Sequence, residues 1–114
     1  MNKKVFFALS LSALLCVSQP SFGISIRGAI AQSCGVWVEE SKQEMNVRKA
    51  GLRNAVMGYL SGLAVGTKMD ILKNTDFDSV MLWVTNYCTA NPLDKMVDAS
   101  DALFRELMKR EGIK

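Results

Sequence analysis

The side chains able to do chemistry in this chain are few, and the cysteines come first. There are three, Cys16, Cys34 and Cys88, and there is no histidine. A Cys-His nucleophile is therefore excluded, and two or three thiols without imidazole are too few ligands for a structural zinc. Asp76, Phe77 and Asp78, with Asp70 and Asn74 upstream, hint at a calcium loop. An EF-hand needs a glycine at its centre and a glutamate at its end, and neither is in place. Helix capping explains Thr75 and Asp76 better. Glu39, Glu40 and Glu44 read as a solvated face rather than an acid/base pair. No nucleophile elbow, phosphate-cradling glycine loop or metal-binding helix motif is present. The expectation is a protein that is not an enzyme and uses no metal or cofactor.

What the cysteines do depends on the compartment, and the first residues speak to that. MNKK precedes an apolar run from Val5 to Val17 and then SQPSFG. A positive start, an apolar stretch too short to span a bilayer and small residues at Ser21 and Gly23 describe a secretory signal peptide, residues 1–23, cleaved after Gly23. Ala29-Ile30-Ala31 offers a second small-x-small site, but Arg27 precedes it and the apolar run is far away. Cys16 follows Leu15 rather than a small residue, which argues against lipidation. No later segment is apolar for long enough to span a membrane. Residues 24–114 are then expected to form one helical domain, periplasmic or secreted. Loss of Lys3 and Lys4 lowers the formal net charge from +3 to +1. No Lys/Arg run survives to form a phosphate-binding stripe, so nucleic acid is not the expected partner.

Without Cys16, two cysteines remain in an exported chain, and their simplest fate is one Cys34–Cys88 disulfide. The chain-entropy account gives a loop of this length roughly 4 kcal/mol of stabilisation. That matters in a small domain, which buries only about two-thirds of its unfolded surface.

The elements that position these residues all read as helices. Ser33 caps a first helix carrying Cys34, Val36 or Trp37, and Val38. After Met45 and Asn46, a second helix places Leu52, Ala55, Val56, Tyr59, Leu60 and Leu63 at three- and four-residue spacing. Gly58 and Gly62 form a small-xxx-small row, which marks tight internal packing in a soluble helix and leaves a homodimer open. The stretch GTKMDILKNT, from Gly66 to Thr75, is the main loop. Thr75 or Asp76 caps a third helix with Phe77, Val80, Val84, Tyr87 and Cys88 along one stripe, and Trp83 beside it. Asn91 and Pro92 stop that helix, because a residue before proline disfavours helical geometry. The same pair is expected to start the fourth helix, with Asn91 as N-cap and Pro92 and Asp94 in the first turn. Leu93, Met96, Val97, Ser100, Leu103, Phe104 and Leu107 then keep helical spacing. No strand alternation occurs, so the expected fold is all-α: a small four-helix single domain stapled by one disulfide. Trp37, close to Cys34, should pack against the bridge, with Trp83 and Tyr87 as neighbours.

With catalysis set aside, binding to another protein is the default. Within the main loop, Met69, Ile71 and Leu72 lie among the charges of Lys68, Asp70 and Lys73. An apolar centre with a charged rim suits a partner-binding patch. The alternative is that Ile71 and Leu72 simply cover the core. Of the seven methionines, all but Met1 lie beyond the leader. They fill core gaps or serve an adaptable binding surface.

Taken in order, CGVW, then GYLSG, then WVTNYCTANPLDKMVDASDALFREL resembles the small exported helical proteins related to the immunity proteins of type VI secretion amidase effectors. The matching features are the Gly-Tyr-x-x-Gly of the middle helix and the helix-Asn-Pro-helix end. That resemblance implies a protein that occludes the active site of a toxic cell-wall amidase, an effector enzyme. A second similarity is to the acid-stress chaperones of the HdeA/HdeB kind, exported helical proteins with one long-range disulfide. It implies unfolded client proteins as partners. An accessory subunit of an envelope export or conjugation machine is a third reading that leaves no mark in the sequence.

Overall fold

Side chains that accept from free N–H groups set the helix starts in this chain. In the computed structural model, which describes residues 23–114, Ser33 Oγ accepts from the Val36 N–H at 3.3 Å and opens α1, Cys34–Ser41. Asn46 Oδ1 accepts from the Lys49 N–H at 2.8 Å and opens α2, Val47–Thr67. Asp76 Oδ1 accepts from the Ser79 N–H at 2.9 Å and opens α3, Phe77–Ala90. The last helix, α4, spans Met96–Arg110, and at its start the Lys95 N–H donates to Asp98 Oδ2 at 2.9 Å. A 3-10 turn, Ala29–Ala31, precedes α1. Apart from Gly23, the expected leader, with Cys16, lies outside the described residues. Among the described residues the fold is all-α, with four α-helices and one disulfide, Cys34–Cys88. Among the described residues the only extended pairing is an isolated bridge between Ser33 and Lys95.

α2 runs past Gly66 to Thr67, and Lys68, which caps it, takes the left-handed conformation at φ 57°. Met69 N–H donates to Ala64 O and Lys68 N–H to Val65 O, so two of the helix's last carbonyls are satisfied. That is a Schellman ending with a lysine where glycine is the favoured residue.

The segment after α3 departs from expectation. Asn91 ends α3, its side-chain amide donating to Tyr87 O at 2.9 Å, but it does not cap α4. Residues 91–95 stay non-helical, and the fourth helix begins only at Met96. The reason lies at the other end of the domain. Cys34 N–H donates to Asp94 O at 2.7 Å and Gly35 N–H to Pro92 O at 3.1 Å, while Met96 N–H donates to Gln32 O at 2.9 Å. The turn's carbonyls serve the free amides of α1, and a helix through Pro92–Asp94 would turn them away. Leu93 consequently projects into solvent, 96% exposed, and is no part of the core stripe.

The core gathers on the other stripes. α2 supplies Leu52, Val56 and Leu60; α3 supplies Val80, Val84 and Cys88; α4 supplies Met96, Leu103 and Leu107. Ser100 is also fully buried, and its hydroxyl donates to Met96 O at 2.8 Å. Phe77 lies on the edge of this core rather than in it, covered on one face by the Arg53 guanidinium 4.8 Å from its ring centre. The Gly58–Gly62 row is not a close-packing seam within the chain. Both glycines are exposed, and a Cβ on either would meet nothing within 4 Å.

Candidate functional site

Most of the groups weighed for chemistry have a structural occupation; Asp70 and Glu44 are exposed carboxylates. Cys34 and Cys88 are both wholly buried and joined to each other. Trp37, one turn beyond Cys34, lies in the same buried cluster and donates its ring N–H to Thr85 Oγ1 at 2.9 Å. Trp83 and Tyr87 stack with ring centres 5.7 Å apart. Tyr87 donates to Asp94 Oδ2 at 2.7 Å, and that bond raises its phenol pKa. Tyr59 donates to Asp101 Oδ1 at 2.7 Å; burial first and that bond second push its phenol up to about 12. Of the suspected calcium ligands, Asn74 donates to the Glu111 carboxylate, Asp76 caps α3 and Asp78 pairs with Arg53. The described residues contain no group of three or more His, Cys, Asp or Glu placed to hold a metal ion.

The loop Lys68–Lys73 divides. Lys68, Asp70 and Lys73 are exposed, Met69 and Leu72 are half-buried against the core, and Ile71 is fully buried. Ile71 therefore closes the core beneath the loop, and the apolar centre expected there is mostly turned inward. What stays accessible is three charges and the edges of two side chains.

A more open arrangement sits where α1, α2 and α3 meet, and the sequence reading did not single it out. Trp37 from α1, Leu52 from α2 and Met81 from α3 form the apolar floor of a hollow of about 170 Å³. Its rim carries Lys49 and Arg53, one turn apart on α2, together with Glu40, Ser41 and Thr85. The Lys49 ammonium is held by two backbone carbonyls, Ser41 O at 3.0 Å and Gln43 O at 2.7 Å, and pairs with no carboxylate among the described residues. An ammonium has three donors, so one remains. Arg53 contacts the exposed Asp78 carboxylate through one nitrogen at 3.2 Å and lies over Phe77. Glu40 is taken by Arg48 at 3.1 Å. Beside the hollow, Met45, Ala50, Asn54 and Phe77 line a second depression that shares Arg53. Lys49, Leu52 and Arg53 on one helix face were a legible hint, but Trp37 and Met81 come from elements far apart in the chain.

This geometry can hold an apolar group beside a negative charge. No helix among the described residues is long and apolar enough to cross a membrane. No family model, no curated protein and no solved structure matches this chain.

Proposed function

We propose that the chain is an exported protein-binding module that works by covering a partner rather than by transforming a substrate. The hollow between α1, α2 and α3 carries this reading. Its apolar floor and charged rim of Lys49, Arg53 and Glu40 have the build of a protein contact, in which a desolvated centre supplies affinity and surrounding charge supplies orientation. The flanking side chains Met45 and Phe77 extend the apolar surface beyond the hollow itself. The buried disulfide and the polar side chains bonded within the fold support a partner-ready shape held before contact, which lowers the ordering cost of association. In the immunity form of this reading, the partner is a secreted cell-wall amidase whose active site is blocked.

The test is capture from the cell envelope with the oxidised protein, followed by an activity assay on what is captured. One stoichiometric hydrolase whose activity falls on binding is the expected result. The substitution Met45→Ser, at an exposed residue, should weaken that binding, whereas Lys73→Ser on the far loop should not. A broad set of unfolded proteins bound only in acid would move the reading to a chaperone. No stoichiometric partner in either condition would remove it.

A further inference from the structure

We propose that the hollow between α1, α2 and α3 receives the C-terminal residue of a partner protein, with an apolar side chain on its floor and the terminal carboxylate at Lys49 and Arg53. The inference rests on the protein-binding reading above and names what that site takes. A volume of about 170 Å³ falls below the roughly 300–1,000 Å³ of pockets that take whole small molecules. That is room on the scale of one side chain rather than of a whole cofactor.

Lys49 and Arg53 stand four residues apart on α2, so their side chains are neighbours on one helix face. Both side chains also line the hollow, so a carboxylate seated in it has the two charges beside it. Glu40, which also lines the hollow, is paired with Arg48; Arg53 gives one nitrogen to the exposed Asp78 and keeps its other guanidinium donors for a second carboxylate. Lys49 is oriented by Ser41 O and Gln43 O and keeps one free donor. Its charge is thus fixed in place without being neutralised by a carboxylate.

The apolar floor of Trp37, Leu52 and Met81 and the cationic rim belong to the same small hollow. A terminal residue carries its apolar side chain and its free carboxylate on one Cα and meets both with a single residue. An internal segment would need two residues and would have to place its own amide groups over the apolar floor at a desolvation cost. Capture of a chain end is a recurrent mode of peptide recognition.

The experiment uses the mature oxidised protein carrying Trp83→Phe, so that Trp37 is the sole tryptophan and reports the floor directly. Three synthetic peptides of common sequence are titrated: one ending in leucine as the free acid, the same peptide as its amide, and one ending in glycine. The free acid should shift Trp37 fluorescence saturably. The amide and the glycine-ended peptide should bind at least about tenfold more weakly, as expected for loss of one charge-assisted contact or one buried side chain. Arg53→Gln and, separately, Lys49→Gln should each weaken the free acid about tenfold, with the thermal melt confirming that each variant is folded. Lys49→Arg, which keeps the charge, should retain most of the binding. Equal binding of acid and amide would overturn the proposal, as would equal binding of a short-chain fatty acid or no saturable shift with any peptide. A captured partner that stays bound in excess leucine-ended peptide would overturn this inference and leave the protein-binding reading standing. A protein with no partner at all would remove both.

Discussion

The Tyr59 hydroxyl donates to Asp101 across α2 and α4, and its pKa lies well above the ordinary phenol, at about 12 against 10.0. Since the folded state favours the protonated form, this stabilisation is fully present below about pH 10 and disappears as pH rises through about 12. Tyr59→Phe should lower stability by about 1 kcal/mol at neutral pH and flatten the alkaline fall in melting temperature. A parallel curve in both proteins would count against the assignment. Asp76 shows the opposite sign. The Ser79 hydroxyl, then the Ser79 N–H, hold its carboxyl below the ordinary 3.8. The cap is complete above that value and is lost as pH falls through the lower folded one. Asp76→Asn keeps an acceptor for the N–H and should show less acid-dependent loss of helical circular dichroism than the parent. Lys68 is a third informative residue. Its left-handed backbone costs a side-chain-bearing residue about 1 kcal/mol relative to glycine, so Lys68→Gly should raise the denaturant midpoint. If the same change also weakens partner binding, the exposed charge of this loop contributes to the contact.

At the scale of elements, α2 carries glycines at 51, 58, 62 and 66 along a 21-residue helix, and none has a neighbour where a Cβ would be. Glycine inside a helix costs roughly 0.5–1 kcal/mol relative to alanine. Gly58→Ala and Gly62→Ala should therefore each stabilise the isolated protein, as read by chemical denaturation. A loss of stability would mean that another surface, such as a second copy, packs on this row in solution. Sequence spacing located the helices well, because Ser33 and Asp76 are caps whose action is local and the apolar stripes repeat every turn. It failed where the deciding partner is distant. Asn91-Pro92 has the local signature of both a stop and a start, yet Pro92 and Asp94 carbonyls are claimed by Gly35 and Cys34, more than fifty residues earlier. Phe77 and Leu93 both fit helical stripes, but the first lies at the core's edge under Arg53 and the second precedes α4 altogether. The hollow was illegible for a related reason. Its floor needs Trp37, Leu52 and Met81 together, and no periodicity on one helix announces a meeting of three.

For the molecule as a whole, the bond between Cys34 and Cys88 spans 54 positions of chain. Its removal in a Cys34→Ser, Cys88→Ser protein should cost about 4 kcal/mol, a large share of the roughly 5–15 kcal/mol available to a domain. Both sulfurs are buried, so mild reductant should act on the folded protein only through opening, and the reduction rate should rise steeply with denaturant. The same closure imposes a timetable on synthesis. α1 emerges from the ribosome before the other helices, but the carbonyls that receive its first amides belong to residues 92 and 94, and its thiol partner is residue 88. An eight-residue helix is too short to persist unaided in water. The beginning of the domain must therefore wait, unformed, for its end, and a nascent chain interrupted before Asp94 lacks the clasp that completes it.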